Sequence, residues 1–328
     1  VGIAFLLRKY SPKLLLLSYW CSPIVLYIFY WHGQIDALPV CLLVWGIVQL
    51  QRERPVIAGL LLGMAMSAKL SMLAAIPFIL IFLYRNRRLR KQLPALLGST
   101  VLTAAISVIP LLRSTSFVKM VFQTPEAERL FTVFLRYGSD IKLFLLPTAY
   151  VLTLYLVWRL EKITLDLFLI SVGLGFFALL LLLPPAPGWF LWVMPFLVFY
   201  QIRSQDEYLL TTVPFFCIYL IYNLLYSTGA NIHLLDLETS QPIANSIGLG
   251  GSKLKSAIFT GLQSAGLVVC IRMYLFGILR NNYYCGFRRR LGIGIATNQI
   301  ANKDRLVTSL GKIFGLESIS LLNVFDYK

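Results

Sequence analysis

Two apolar runs, residues 14–30 and 37–50, are separated only by Trp31-His32-Gly33-Gln34-Ile35-Asp36. A helix crosses the hydrocarbon core of a bilayer in roughly 20 residues. Each run comes close to that length, so the polar knot between them falls at a membrane surface. An imidazole, an amide and a carboxylate together are costly to bury in a soluble core. Beside a bilayer such a cluster marks a place where chemistry can meet lipid.

The same alternation of apolar run and short polar turn recurs along the chain. Of the 328 residues, 58% are hydrophobic and 13% charged, with a mean hydropathy of +0.75. That balance excludes an ordinary soluble domain. It implies an α-helical polytopic membrane protein with about ten transmembrane helices. The formal charge of +16, from 30 Lys and Arg against 14 Asp and Glu, would suit a nucleic-acid partner in a soluble chain. Here the basic residues cluster in turns between apolar runs, where the charge bias of cytoplasmic loops puts them, and no nucleic acid is expected. Cys21, Cys41, Cys217, Cys270 and Cys285 are scattered, with no CxxC, and read as small packing residues. Residues 1–7 read as the end of an earlier helix, and the chain stops where a fold should continue, so a piece of a longer protein is expected.

The basic residues orient the path. Arg8, Lys9 and Lys13 mark a cytoplasmic start, so residues 14–30 cross outward and residues 37–50 return to Gln51-Arg52-Glu53-Arg54-Pro55. The run 56–84 contains Lys69. One long helix would strand an ammonium at mid-membrane, at about 3 kcal/mol or more. It would also set the basic cluster of residues 85–91 outside. Two short helices meeting near Lys69 avoid both, and are expected. Residues 93–112 then cross outward to Arg113. Thr124-Pro125-Glu126 reads as a helix start, and Leu130, Phe131 and Phe134 follow at helical spacing, so an interfacial helix is expected there. Crossings follow at 143–158, at 165–183 up to a rigid turn ending in Pro187-Gly188-Trp189, at 190–202 and at 209–226. Residues 227–255 read as a polar external loop, and 257–279 as the last crossing. The tail changes character: strand 291–296, a helical pattern with Leu306, Val307, Leu310 and Ile313 on one face, then strand 318–324. The expected domains are therefore a membrane domain, 1–285, and the start of a cytoplasmic α/β domain, 286–328.

Within the membrane domain, Ser22-Pro23-Ile24, the stretch His32-Gly33-Gln34-Ile35-Asp36-Ala37-Leu38-Pro39, Lys69 and Pro187-Gly188-Trp189 with Trp192 resemble the GT-C glycosyltransferases. The resemblance implies transfer of a sugar, of the hexosyl or mannosyl class, from a polyprenyl-phosphate donor to a lipid or glycan acceptor on the outer face. It also implies a multi-pass protein of the bacterial plasma (inner) membrane. In such enzymes the catalytic acidic residue sits in the first outer loop, which is expected upstream of Val1. The tail resembles the uridine kinase and phosphoribulokinase group of P-loop kinases, through Gly294-Ile295-Ala296, Lys303-Asp304 and Asp326. Thr297 and Asn302 stand where loop glycines should let backbone N–H groups close on phosphate. The tail therefore reads as a degenerate P-loop domain whose nucleotide positions would be Lys303, Asp304 and Asp326, with a role in docking a protein partner or in regulation.

Each candidate has a plainer reading. His32, Gln34 and Asp36 either line a sugar or acceptor site or cap two helix ends. Lys69 either holds the carrier's phosphate or snorkels to head groups. Arg113 and Arg129 either assist with the sugar phosphate or contact lipid. Trp189 and Trp192 either stack on a sugar ring or belong to an aromatic belt. Arg272 reads as a partner for a carboxylate or carbonyl within the bundle. His233, Asp236 and Glu238 lie in a polar stretch and read as solvated rather than metal-binding. No cofactor is called for, a divalent metal being the one the chemistry leaves open. The rival class is a non-enzymatic scaffold or a transporter subunit with a decayed nucleotide-binding tail. A transporter would repeat the broken helix pair of Lys69, and no second copy is visible.

Overall fold

The computed structural model describes residues 15–122, 130–138, 140–160, 163–181, 186–204, 209–226, 231–232, 237–238 and 243–275. It is mostly helical. The longer helices are α1 (Ala37–Gln51), α2 (Pro55–Ala68), α3 (Ile76–Arg85), α4 (Leu93–Val108) and α5 (Thr115–Phe122). After a hairpin of β1 (Phe134–Tyr137) and β2 (Ile141–Phe144) come α6 (Leu145–Trp158), α7 (Leu165–Leu181), α8 (Met194–Ser204) and α9 (Leu209–Tyr226). A small pair, β3 (Asn231–Ile232) and β4 (Leu237–Glu238), precedes α10 (Ser252–Tyr274).

Helix α7 is the centre. From Leu167 to Phe177 every residue is buried, as expected for a helix apolar on all sides. Phe176 stacks on Phe196 of α8 at 6.1 Å, and Phe82 of α3 stacks on Phe168 at 4.6 Å. The outer helices are the reverse. Flanked by 3-10 turns, α4 forms part of a 24-residue apolar segment, Arg90–Arg113, with only 11% of its apolar window buried; α10 has 23 residues and 17%. Val101, Leu102 and Ile106 each leave more than half their surface open. Among the described residues two helices are thus long and apolar enough to cross a membrane, and they turn their apolar faces away from the core, where lipid can cover them. Helices α1 and α2 are shorter, 15 and 14 residues, or about 21–22 Å at 1.5 Å per residue.

Helices α2 and α4 meet closely through Gly59 and Gly63, spaced four apart. A Cβ at Gly59 would stand 2.6 Å from the Leu96 carbonyl, and one at Gly63 would stand 2.7 Å from that of Thr100. This is the small-residue packing by which apolar helices associate in lipid. The polar residues at the seam are satisfied within α4: Ser99 donates to the Ala95 carbonyl at 2.8 Å, and Thr103 to that of Ser99 at 2.8 Å.

The basic turns gather at one end of the bundle. Arg88, after α3, pairs with Glu53, between α1 and α2, at 2.6 Å. Arg85 donates to the Trp158 carbonyl and lies 4.7 Å from that indole's centroid. Tyr84 stacks on Trp158 at 5.4 Å, and Arg90 covers Tyr84 at 4.3 Å. From this end α2 leads to Lys69, and the chain breaks there into two short helices, as the charge argument requires.

Several expectations change. The run 14–30 is not one regular helix: it is π-wound over Leu16–Trp20, breaks at Cys21-Ser22, restarts on Pro23 and widens again over Tyr27–Trp31. Pro23 lacks the N–H that a continuing helix would use. The interfacial helix expected to carry Leu130, Phe131 and Phe134 is replaced by a turn and the β1–β2 hairpin. There Gly138 at φ +69 takes the left-handed conformation that turns the chain, and Phe131 packs edge-on to Phe144 at 5.1 Å. Helix α10 begins at Ser252, inside the expected external loop. Cys21, Cys41 and Cys217 are exposed rather than packed; an apolar surroundings of lipid accepts a thiol as the core does. The tail, with Lys303, Asp304 and Asp326, lies outside the described residues, as do Arg129, His233 and Asp236.

Candidate functional site

At the end of the bundle away from the basic turns, three irregular segments converge. The first follows the π turn of Tyr27–Trp31, closed by the His32 N–H on the Tyr27 carbonyl at 2.8 Å. Such wide turns recur at functional sites. Gly33 then takes φ +63, which lets the Gln34 N–H fold back on the Ile28 carbonyl at 3.2 Å. Asp36 stands at the N-cap of α1, yet its carboxylate makes no capping bond. It is committed elsewhere.

The second segment is Lys69 and the 3-10 turn Leu70–Ala75. Lys69 is extended, with φ −155 and ψ 117, and ends α2. Its side chain keeps 33% of its surface open, against 5% for Asp36, and the ammonium is bound to Asp36 Oδ1. The third segment is the 3-10 turn Pro187–Trp192. The Trp192 indole N–H donates to the same Asp36 Oδ1 at 3.2 Å. Trp189 stacks on Trp192 at 5.2 Å, and the Lys69 ammonium lies 5.2 Å from the Trp192 centroid. Lys69 therefore has a carboxylate on one side and an aromatic face on another, both favourable to a cation.

Gly188 joins the first and third segments. A Cβ there would overlap Gln34 Oε1 and meet Asp36 Oδ2 at 2.5 Å, so any larger residue would push these side-chain ends aside. The turn is anchored from behind: the Tyr219 hydroxyl donates to the Pro187 carbonyl at 3.0 Å, Tyr27 lies edge-on to Tyr219 at 5.9 Å, and the Tyr27 hydroxyl donates to the Asn223 carbonyl at 3.1 Å.

Removing one member of a buried ion pair costs about 3–5 kcal/mol, because the other charge stays behind; exposure of Lys69 puts this pair at or below the lower figure. On the first two segments His32 Nδ1, Gln34 Oε1 and Ser71 Oγ are buried polar atoms with no hydrogen-bond partner among the described residues, as are Gln49 Oε1 and Gln92 Oε1 elsewhere in the bundle. Native structures rarely leave such atoms unmet, and a polar ligand could meet those at the junction. Burial lowers the His32 pKa below 6.5, partly opposed by a backbone hydrogen bond and, less, by the charge of Asp36. The imidazole is then neutral at pH 7, with one nitrogen a donor and the other an acceptor.

Of the residues singled out in the sequence, Gln34, Asp36, Lys69, Trp189 and Trp192 come together, and His32 lies half-buried beside them, 6.1 Å from the Tyr27 ring. Arg113 does not join them: it is exposed at the end of the 3-10 turn Ile109–Arg113. Arg272 is buried in α10. Sequence reasoning missed the roles of Gly188 and of the Trp192 N–H in holding Asp36. Their one local signal was a glycine between a proline and two tryptophans. Among the described residues no group of three His, Cys, Asp or Glu side chains could hold a metal.

Apolar helices facing outward around a half-buried polar junction suit an enzyme that works within or against a bilayer. The chain belongs to glycosyltransferase family 87, whose model matches residues 3–212, a range that includes Gln34, Asp36, Lys69, Gly188 and Trp192. It is thus a member of a family of membrane glycosyltransferases, enzymes that act on a sugar donor and an acceptor. No curated protein and no solved structure matches it.

Proposed function

We propose that this chain moves a sugar from a polyprenyl-phosphate donor to a lipid or glycan acceptor, at the face of the membrane opposite its basic turns. The acceptor hydroxyl attacks the anomeric carbon and gives its proton to a carboxylate. The C–O bond to phosphate breaks, and the phosphate leaves with the bonding electrons on its lipid tail. Configuration at the anomeric carbon inverts. In this reading Lys69 steadies the phosphate as charge develops on it. His32, Gln34 and Asp36 line the sugar side, and Trp189 offers a ring face for stacking. Asp36 serves binding here and is not given the role of the base. Arg113, exposed and apart, fits a head-group contact better. The same reading makes the protein multi-pass in a bacterial plasma membrane and its tail a docking or regulatory domain.

The observation that carries the proposal is the half-open ammonium of Lys69, held between Asp36 and the face of Trp192 where three irregular segments meet. The test is transfer by the full chain in lipid nanodiscs supplied with a labelled polyprenyl-phosphate sugar. Labelled acceptor should form with the native protein and fall by about a hundredfold or more in Lys69→Met. Transfer that requires a nucleotide sugar and ignores the lipid-linked one would refute it.

A further inference from the structure

The β1–β2 hairpin supplies none of the junction's side chains, and its two faces differ in kind. Its register sets Leu135 against Leu143, Arg136 against Lys142 and Tyr137 against Ile141. Side chains alternate across a strand, so Leu135, Tyr137, Ile141 and Leu143 share one face, and Arg136 and Lys142 lie on the other. All six are exposed. Ile141 keeps 69% of its surface open and Tyr137 59%.

The basic pair is an unfavourable one for a ladder to carry, because like charges set directly opposite weaken a strand pair. Among the described residues neither cation has a carboxylate partner. Asp140, the one acid of the hairpin, sits exposed in the turn and makes no ion pair there. What the two cations share is the ring of Phe134: the Arg136 guanidinium lies 5.6 Å from its centroid and the Lys142 ammonium 4.8 Å. A ring face attracts both but leaves their mutual repulsion in place. An anion between them would turn that repulsion into attraction.

The hairpin also has a defined level in the bundle. The Leu145 N–H donates to the Val133 carbonyl at 3.0 Å, so β2 runs straight into α6. Helix α6 ends at Trp158, among the basic turns. On the way the Tyr150 hydroxyl donates to the Ala74 carbonyl, in the turn after Lys69, at 2.7 Å. The hairpin therefore stands on the junction's side of the bundle, beyond the level of Tyr150.

One apolar face and one basic face, at the end of a bundle whose long helices turn apolar surface outward, is the division found in segments that lie in a membrane interface. We propose that the β1–β2 hairpin docks on the anionic phospholipid headgroups of the leaflet on the junction's side. Leu135, Tyr137, Ile141 and Leu143 face the acyl chains, and Arg136 and Lys142 lie among the phosphates. A second copy of the chain fits less well. Edge-to-edge pairing of two hairpins would put four cations on one face. Face-to-face packing would cover the apolar side chains and leave every cation without an anion. The contact holds the start of α6, and through Tyr150 the turn after Lys69, at a fixed depth. It goes beyond the reading of the sugar donor and needs only that the chain lies in a bilayer.

The test puts a photo-crosslinking phenylalanine analogue at position 141 of the full chain, in liposomes of equal parts phosphatidylcholine and phosphatidylglycerol, with one or the other radiolabelled. A readout at the hairpin itself is needed because the basic turns at the far end also attract anionic lipid. The analogue should crosslink to lipid, and about threefold or more to phosphatidylglycerol over phosphatidylcholine. Arg136→Gln combined with Lys142→Gln should make the two yields equal without lowering the melting temperature. Crosslinks to a second copy, or to nothing, would overturn the docking. Equal yields in the native background, or a preference that survives the double substitution, would overturn recognition of the headgroup by these cations. If the analogue at position 141 prevents folding, the same analogue in place of Tyr137 reads the same face.

Discussion

The two ends of this bundle hold charge in opposite ways. At the basic end Glu53 and Arg88 are largely exposed, and Arg85 and Arg90 lie against the aromatic faces of Trp158 and Tyr84. Water and head groups can screen the Glu53–Arg88 pair and the exposed Arg90. At the other end Asp36 is buried, its partners are the Lys69 ammonium and the Trp192 N–H, and Gly188 leaves room for the Gln34 and Asp36 side chains. A surface charge tolerates substitution because solvent replaces what is lost; a buried one cannot be replaced in that way. The basic end carries charge that solvent can reach, and the junction end has the constraint expected of a site.

That contrast can be broken first at Lys69. The Lys69→Met substitution is expected to lower sugar transfer by about a hundredfold or more and to destabilise by at most about 3 kcal/mol through the stranded Asp36. Equal activity in the variant would remove the contrast altogether. Next in size is Gly188→Ala, whose methyl displaces the ends of the Gln34 and Asp36 side chains. It should cost about 1–3 kcal/mol of stability and most of the transfer rate, read by melting temperature and initial velocity. Gly63→Leu at the α2–α4 seam should cost a similar 1–3 kcal/mol or so and lower melting temperature without altering the affinity for donor.

The pH response of His32 should be smaller. Burial lowers its pKa from 6.5, so the unfolded chain takes up the proton first as pH falls. The stability that His32 contributes is present above 6.5 and lost as pH drops from there toward its depressed folded value. The melting temperature of the native protein should decline across that window more steeply than that of His32→Gln, and parallel curves would contradict the assignment. Smallest of all is Arg88→Gln. Loss of its exposed pair with Glu53 should change stability by less than about 1 kcal/mol and leave transfer untouched.

Much of this was legible in the sequence because charge in an apolar chain has few places to go. The break at Lys69 followed from the cost of a mid-membrane ammonium, and the gathering of basic turns followed from loop-charge bias. The nearness of Asp36 to Lys69 was not fixed by spacing, since 33 positions separate them; it depended on the resemblance that set both in one site. The hairpin at Phe134–Phe144 was hidden because Leu130, Phe131 and Phe134 fit a helical period as well as they fit a turn followed by a strand. The close approach at Gly188 could not be read at all, because a glycine in a Pro-Gly-Trp turn looks the same whether or not another side chain presses on it. Likewise the π turns at Leu16–Trp20 and Tyr27–Trp31 are choices of backbone winding that apolar composition does not specify.

The central claim is that the carrier's phosphate belongs at the junction and not among the arginines. An experimental density map of the full chain in a nanodisc, with a polyprenyl-phosphate sugar bound, tests it most directly. The account predicts the phosphate within about 3 Å of the Lys69 ammonium, with Asp36 turned to the sugar. A phosphate found instead beside Arg85 and Arg90, with Lys69 still paired to Asp36, would contradict it.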